Sequence, residues 1–120
     1  MIDITDSIID AVKETVEDCY RGFPETISLG KRMAVVQLTS RDPTLVDEDG
    51  DEVTASLTYG IAVFDLTPED VDDDVEAILN TLKKHRTRLI DYKPAYNVGS
   101  DTYEAQMSLR VTVDRRGTCW

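Results

Sequence analysis

The sequence predicts an α+β fold: a mostly antiparallel four-stranded sheet with two helices packed on one face, in the order α-β-β-α-β-β. Three observations predict it. The run Val53–Leu66 alternates, with Val53, Ala55, Leu57, Tyr59, Ile61 and Val63 on one side, the period-two pattern of a half-buried strand. It passes straight into Thr67-Pro68-Glu69-Asp70, a helix start with Thr at the cap, Pro at the first position and acids in the first turn. Near the end, Tyr103, Ala105, Met107, Leu109, Val111 and Val113 alternate with polar residues and make the clearest strand of the chain.

The remaining elements follow in order. Ile4, Ile8, Val12, Val16, Cys19 and Tyr20 recur every three or four residues, which predicts a first helix from about residue 3 or 5 to Tyr20, closed by Arg21-Gly22-Phe23-Pro24. Met33–Thr39 is β-branched and reads as the first strand. The polar stretch 41–52 is expected to be an exposed acidic hairpin loop with its tip at Asp49-Gly50. The second helix should run from Pro68 to about His85, burying Val71, Val75, Ile78, Leu79 and Leu82. Leu89–Tyr92 is a weaker strand, which Pro94 assigns to a sheet edge, and Asn97–Asp101 supplies the last turn.

With 120 residues the chain is expected to be a single domain, residues 1–120, able to bury one core without staples. Cys19 and Cys119 lie far apart with no metal or redox spacing, so a reducing, cytosolic origin is expected. No apolar run approaches the ~20 residues of a membrane span, and the acidic start Met1-Ile2-Asp3-Ile4 does not read as a secretory signal. The net charge of −11 argues against general nucleic-acid binding, which requires basic surface to neutralise phosphates.

Candidate chemistry resolves mostly into solvated surface. Asp47-Glu48-Asp49-Gly50-Asp51 resembles a calcium loop, but Gly50 comes too early and the twelfth position is Thr58, so no metal site is expected. Asp72-Asp73-Asp74 lies in the first turns of the second helix, where the macrodipole favours acids, and reads as a solvated face. Lys83-Lys84-His85-Arg86 and Arg88 close that helix with positive charge. A helix acidic at one end and basic at the other suits head-to-tail subunit contact in a closed ring. His85 and the two cysteines could in principle form a Cys–His pair, but Cys19 sits on the apolar stripe as a small hydrophobe. No nucleophile elbow, Walker A, dinucleotide fingerprint or C-x-x-C motif occurs, so neither catalysis nor a cofactor is expected.

In its order and spacing of elements the chain resembles the tail terminator (tail completion) proteins of long-tailed phages. The residues that carry the likeness are Tyr20-Arg21-Gly22-Phe23-Pro24, Val35-Val36-Gln37, Leu57–Phe64 with Thr67 opening the second helix, and Tyr103–Arg110. Leu29–Met33 lacks the proline common before the first strand of that family. The resemblance implies a virion protein without catalytic residues. Such a protein forms a homo-hexameric ring on the head-proximal end of the tail tube, stops tube-protein addition and offers a docking face to the head connector or neck protein. Genomic DNA would pass through the lumen without specific binding, and no membrane is involved. Another head–tail joining (neck or head-completion) protein is the alternative, and a small ligand-binding α+β module a third. The residues expected at subunit or partner contacts are Asp42, Asp47, Glu48, Asp49, Asp51, Asp72, Asp73, Lys83, Lys84, Arg86 and Trp120.

Overall fold

A computed structural model describes residues 4–22, 30–46, 48 and 52–114; for 43–46, 52, 53 and 114 only the backbone course is described. Seven elements follow one another: α1 (Thr5–Lys13), β1 (Cys19–Arg21), β2 (Met33–Val46), β3 (Glu52–Asp65), α2 (Pro68–Leu82), β4 (Thr87–Gly99) and β5 (Thr102–Asp114). The five strands form one sheet in the order β1-β2-β3-β5-β4.

This corrects the expected four-stranded antiparallel sheet and its α-β-β-α-β-β order. The sheet is mixed and five-stranded, because the segment expected to finish the first helix becomes an extra strand. α1 stops at Lys13, and the chain turns with Thr15 N–H donating to Val12 O at 3.0 Å and Val16 N–H to the same oxygen at 2.9 Å. β1 then pairs parallel with β2, Tyr20 opposite Val35. Ala34 N–H donates to Asp18 O and Gly22 N–H to Val36 O, so the outer edge of β2 gains a backbone partner there. Val16 remains buried, which is why the three-to-four spacing continued past the helix end: one buried residue in the turn mimics the next helical position. Tertiary pairing overrides the weak local preference of a segment that includes β-branched Thr15 and Val16.

The other boundaries shift for similar reasons. β2 continues to Val46, so residues 41–46, expected in the loop, are laddered to β3 from Arg41↔Leu57 to Val46↔Glu52. The proposed tip Asp49-Gly50 lies outside the described residues. β4 is longer than the four residues expected, and Pro94 falls where its register slips between Lys93 and Tyr96, on the sheet's outermost strand. The β4–β5 connection is two residues, Ser100 and Asp101, with φ of 51° and 54°. Two successive left-handed residues are the type I′ pattern whose twist matches the flanking strands. α2 begins as expected: the Thr67 side chain accepts from Asp70 N–H at 3.1 Å.

Both helices lie on one face. There Ile8, Val12 and Val16 meet Val71, Val75, Ile78 and Leu82 over Leu57, Tyr59, Ile61 and Val63 of β3 and Ala105, Met107, Leu109, Val111 and Val113 of β5. Each fully buried aliphatic side chain contributes about 1.5–3 kcal/mol of transfer free energy. Tyr59 lies beneath α1, and its hydroxyl accepts from Ile4 N–H at 3.1 Å and approaches the Thr5 hydroxyl at 3.4 Å. The opposite face carries a smaller apolar cluster at one end, Met33, Val35, Ala62 and Phe64 with Val98 against it.

Candidate functional site

The chemistry-bearing residues fall into a half-buried ionic cluster, an open sheet face and two sheet edges. In the first, Arg32 at the foot of β2 donates to both oxygens of Asp74 on α2, Nη2 to Oδ1 at 2.6 Å and Nε to Oδ2 at 3.1 Å. Its Nε stands 3.6 Å from Asp65 Oδ2 at the end of β3. Asp65 also accepts from Leu66 N–H at 2.7 Å. Two buried carboxylates thus share one guanidinium, and burial pushes the Asp74 carboxyl up to about 6 despite that guanidinium, with its hydrogen bond to Asp65 adding to the rise. The cluster ties the start of β2 to the β3–α2 corner. This overturns the solvated reading of Asp74. The signal was present in the sequence, since Asp74 falls three residues after Val71 and four before Ile78, on the buried stripe of α2.

Asp72 and Asp73 are exposed on α2, and Asp72 accepts from the Tyr92 hydroxyl at 3.4 Å. That contact spans a groove of about 510 Å3 between α2 and β4, lined by Val75, Leu79, Tyr92 and Pro94. Lys83, Lys84 and Arg86 are exposed just beyond the end of α2, with Lys83 as its cap, whereas Arg88 belongs to β4. Cys19 lies half-buried in β1 rather than on a helix stripe, and burial pushes its thiol up to about 11, which leaves it a poor nucleophile. Among the described residues no group of three or more His, Cys, Asp or Glu side chains could hold a metal ion. Among them, too, no helix is long and apolar enough to cross a membrane.

The helix-free face of the sheet is polar over most of its length. A shallow depression of about 200 Å3 lies over Gly60, bordered by Val35, Gln37, Thr39, Ala62, Gln106 and Ser108. A Cβ at Gly60 would stand 3.3 Å from the Thr39 methyl, at the point where β2 bulges between Leu38 and Ser40.

The two edges of the sheet differ in charge. β4 is its outermost strand on one side, and it exposes Leu89, Ile90, Tyr92 and Tyr96. Arg88 stands directly opposite Arg110 of β5. Facing like charges cost a few tenths of a kcal/mol to about 1 kcal/mol. Together with Lys83, Lys84 and Arg86 they make a basic corner, beyond which β4 carries the exposed Asp91 and Lys93, and among the described residues none of these six cations is in an ion pair. Sequence reasoning found Lys83, Lys84 and Arg86 but missed that Arg110 joins them, because cross-strand register over 22 residues leaves no local signal. On the other side β1 covers β2 only from Ala34 to Val36. Beyond it the edge runs to the acidic end of the hairpin, where Asp42 and Glu48 are exposed. Asp47, Asp49, Asp51 and Trp120 lie outside the described residues.

No known protein-family model matches the sequence, and comparison with curated proteins finds no match either. Among solved structures the chain is similar to one from the virion of a native gene transfer agent (GTA) particle. The likeness has a TM-score of 0.46 and 17% identity, and covers 89% of this chain and 84% of that one. It is a distant likeness, and the surfaces described above carry the functional reading.

Proposed function

We propose that this chain is a structural virion protein of the tail terminator type. It caps the head-proximal end of a phage tail tube as a ring, ends tube polymerisation and offers a surface to the head connector. The observation that carries this reading is the opposite charge at the two sides of the sheet, basic at the corner between α2 and β4 and acidic toward the end of the β2–β3 hairpin. Opposite surfaces on opposite sides of one protomer suit a head-to-tail contact, and such contacts close into rings when their rotation closes. A lumen formed by a chain of net charge −11 would repel passing DNA rather than hold it. In this reading the mechanism is surface complementarity, without a catalytic step or cofactor, and the partners are further copies of the chain, the tail tube protein and the neck.

The test is native mass spectrometry with negative-stain imaging of the purified protein, alone and with tail tubes of the same virion. A closed ring, free or formed on one tube end, is the expected result. A monomer that ignores tube ends refutes the reading, and binding to portal-bearing heads instead would reassign the protein to head completion. Removing residues 42–52 outright would be a poor test of the hairpin, because Asp42–Val46 are laddered to β3. Neutralising the acids between β2 and β3 (Asp47→Asn, Glu48→Gln, Asp49→Asn, Asp51→Asn) alters no residue of the described ladder and should weaken assembly while melting remains unchanged.

A further inference from the structure

The registers on either side of the sheet place its two open edges at the same height and in opposite directions. Ser40 of β2 is paired with Thr58, Thr58 with Arg110, and Arg110 with Arg88 of β4. One row across the sheet therefore runs from the free stretch of β2 to the basic stretch of β4. The neighbouring row joins Arg41, Leu57, Val111 and Thr87. Asp42 is one step further along β2, opposite Ser56, which pairs with Thr112; its height is therefore that of Arg86, just before β4 begins. Each of the three pairings is antiparallel, so β4 runs antiparallel to β2.

The stretches without a strand beside them match in extent as well. β1 occupies the outer edge of β2 at Ala34–Val36, and among the described residues no strand lies beside it from Gln37 onward. Gln37 lies at the height of Asp91, through Gly60 and Ser108. Thr87–Asp91 of β4 and Gln37–Arg41 of β2 are thus five-residue edges of the same length, about 17 Å. Past them, Pro94 and its register slip interrupt β4 at the level where β1 already covers β2. The β4 stretch exposes Leu89 and Ile90 between Arg88 and Asp91, with Arg86 just before it, and the β2 stretch ends at Arg41 and leads to the exposed Asp42.

We infer that the β4 edge at Thr87–Asp91 docks against the β2 edge at Gln37–Arg41 of a second copy of this chain, extending the sheet from one protomer to the next. Charge complementarity selects the occupant. The basic corner needs an acid at its own height, and the chain itself presents Asp42 at the level of Arg86 on the opposite side, with Gln37 level with Asp91 at the other end of the stretch. The contact would bury Leu89 and Ile90 and bring acids to Arg86 and Arg88, which have no ion-pair partner among the described residues. It is heterologous, because the two surfaces differ, and equal heights are what rotation about an axis along the strands requires. The inference rests on the ring in the proposed function and assigns the two surfaces that close it.

Two variants test it: Arg86→Glu with Arg88→Glu, which reverses the β4 edge, and Asp42→Lys with Glu48→Lys, which reverses the β2 edge. All four positions are exposed, so each variant should fold, as circular dichroism and thermal melting would verify. Native mass spectrometry, with or without tube ends, should show each variant alone failing to form the wild-type ring, its assembly midpoint raised roughly tenfold or more. An equimolar mixture should restore rings holding both chains in equal number, since every contact then pairs opposite charges. Either variant assembling alone as wild type does would overturn the edge assignment while leaving the ring reading intact. Folded variants that fail separately and also fail when mixed would overturn it too. A wild-type protein that never forms a ring would sink the proposed function, and this inference with it.

Discussion

Asp74 ought to make this protein less stable as pH rises from about 4 to 7, the reverse of the usual behaviour of a paired carboxylate. Burial on α2 beside Asp65 lifts its carboxyl from 3.8 to about 6, although Arg32 draws it down. Because the folded pKa lies above the unfolded one, the folded state holds more proton between those values. That stability is fully present below about pH 4 and is lost as pH rises through about 6. A shift of about two units corresponds to about 3 kcal/mol at most, at about 1.4 kcal/mol per unit. Arg32 is 47% exposed and water reaches its side of the pair, so about 1–3 kcal/mol is the expected loss. For a chain of this length that is a fall in Tm of about 3–12 °C. The assay is thermal melting from pH 4.5 to 8 for the wild type and Asp74→Asn. Asp74→Asn should flatten the profile and cost more at pH 5 than at pH 7.5. Parallel profiles for the two proteins would refute the reasoning, because the titration would then belong to another group.

Three further outcomes follow from single contacts. Tyr59→Phe removes the buried hydroxyl that accepts from Ile4 N–H, and should cost about 1–3 kcal/mol in urea unfolding with an unchanged slope. A loss below a few tenths would mean that water replaces the hydroxyl. Thr67→Ala deletes the side-chain cap of α2 and should cost about 1 kcal/mol, recovered by Thr67→Ser but not by Thr67→Val. Replacing Ser100-Asp101 by Asn-Gly should raise Tm by a few degrees, because both positions hold left-handed backbone that Asn and Gly adopt at lower cost. An unchanged or lowered Tm would show that Thr102, whose hydroxyl donates to Ser100 O, depends on the present turn.

The sequence by itself determined the elements whose periodicity is sustained and locally punctuated. β3, α2 and β5 lie where alternation, the Thr67-Pro68 cap and the helical stripe place them, because burial of one face repeats along the element and a cap acts within four residues. It also made Lys83, Lys84, Arg86 and Asp42 legible as exposed charge, since like charges seldom occupy a core without partners. Only the tertiary structure decided the rest. Whether residues 14–21 continue a helix or turn into an edge strand at Cys19–Arg21 depended on the free backbone groups of β2, distant in sequence, and the answer changed the sheet from four antiparallel strands to five mixed ones. Asp74 became a buried partner of Arg32 through a contact spanning 42 residues, and Arg110 came to face Arg88 through strand register alone. Each of these is a pairing between separate segments. Its free energy resides in neither segment alone, so no local pattern records it until the sheet has formed.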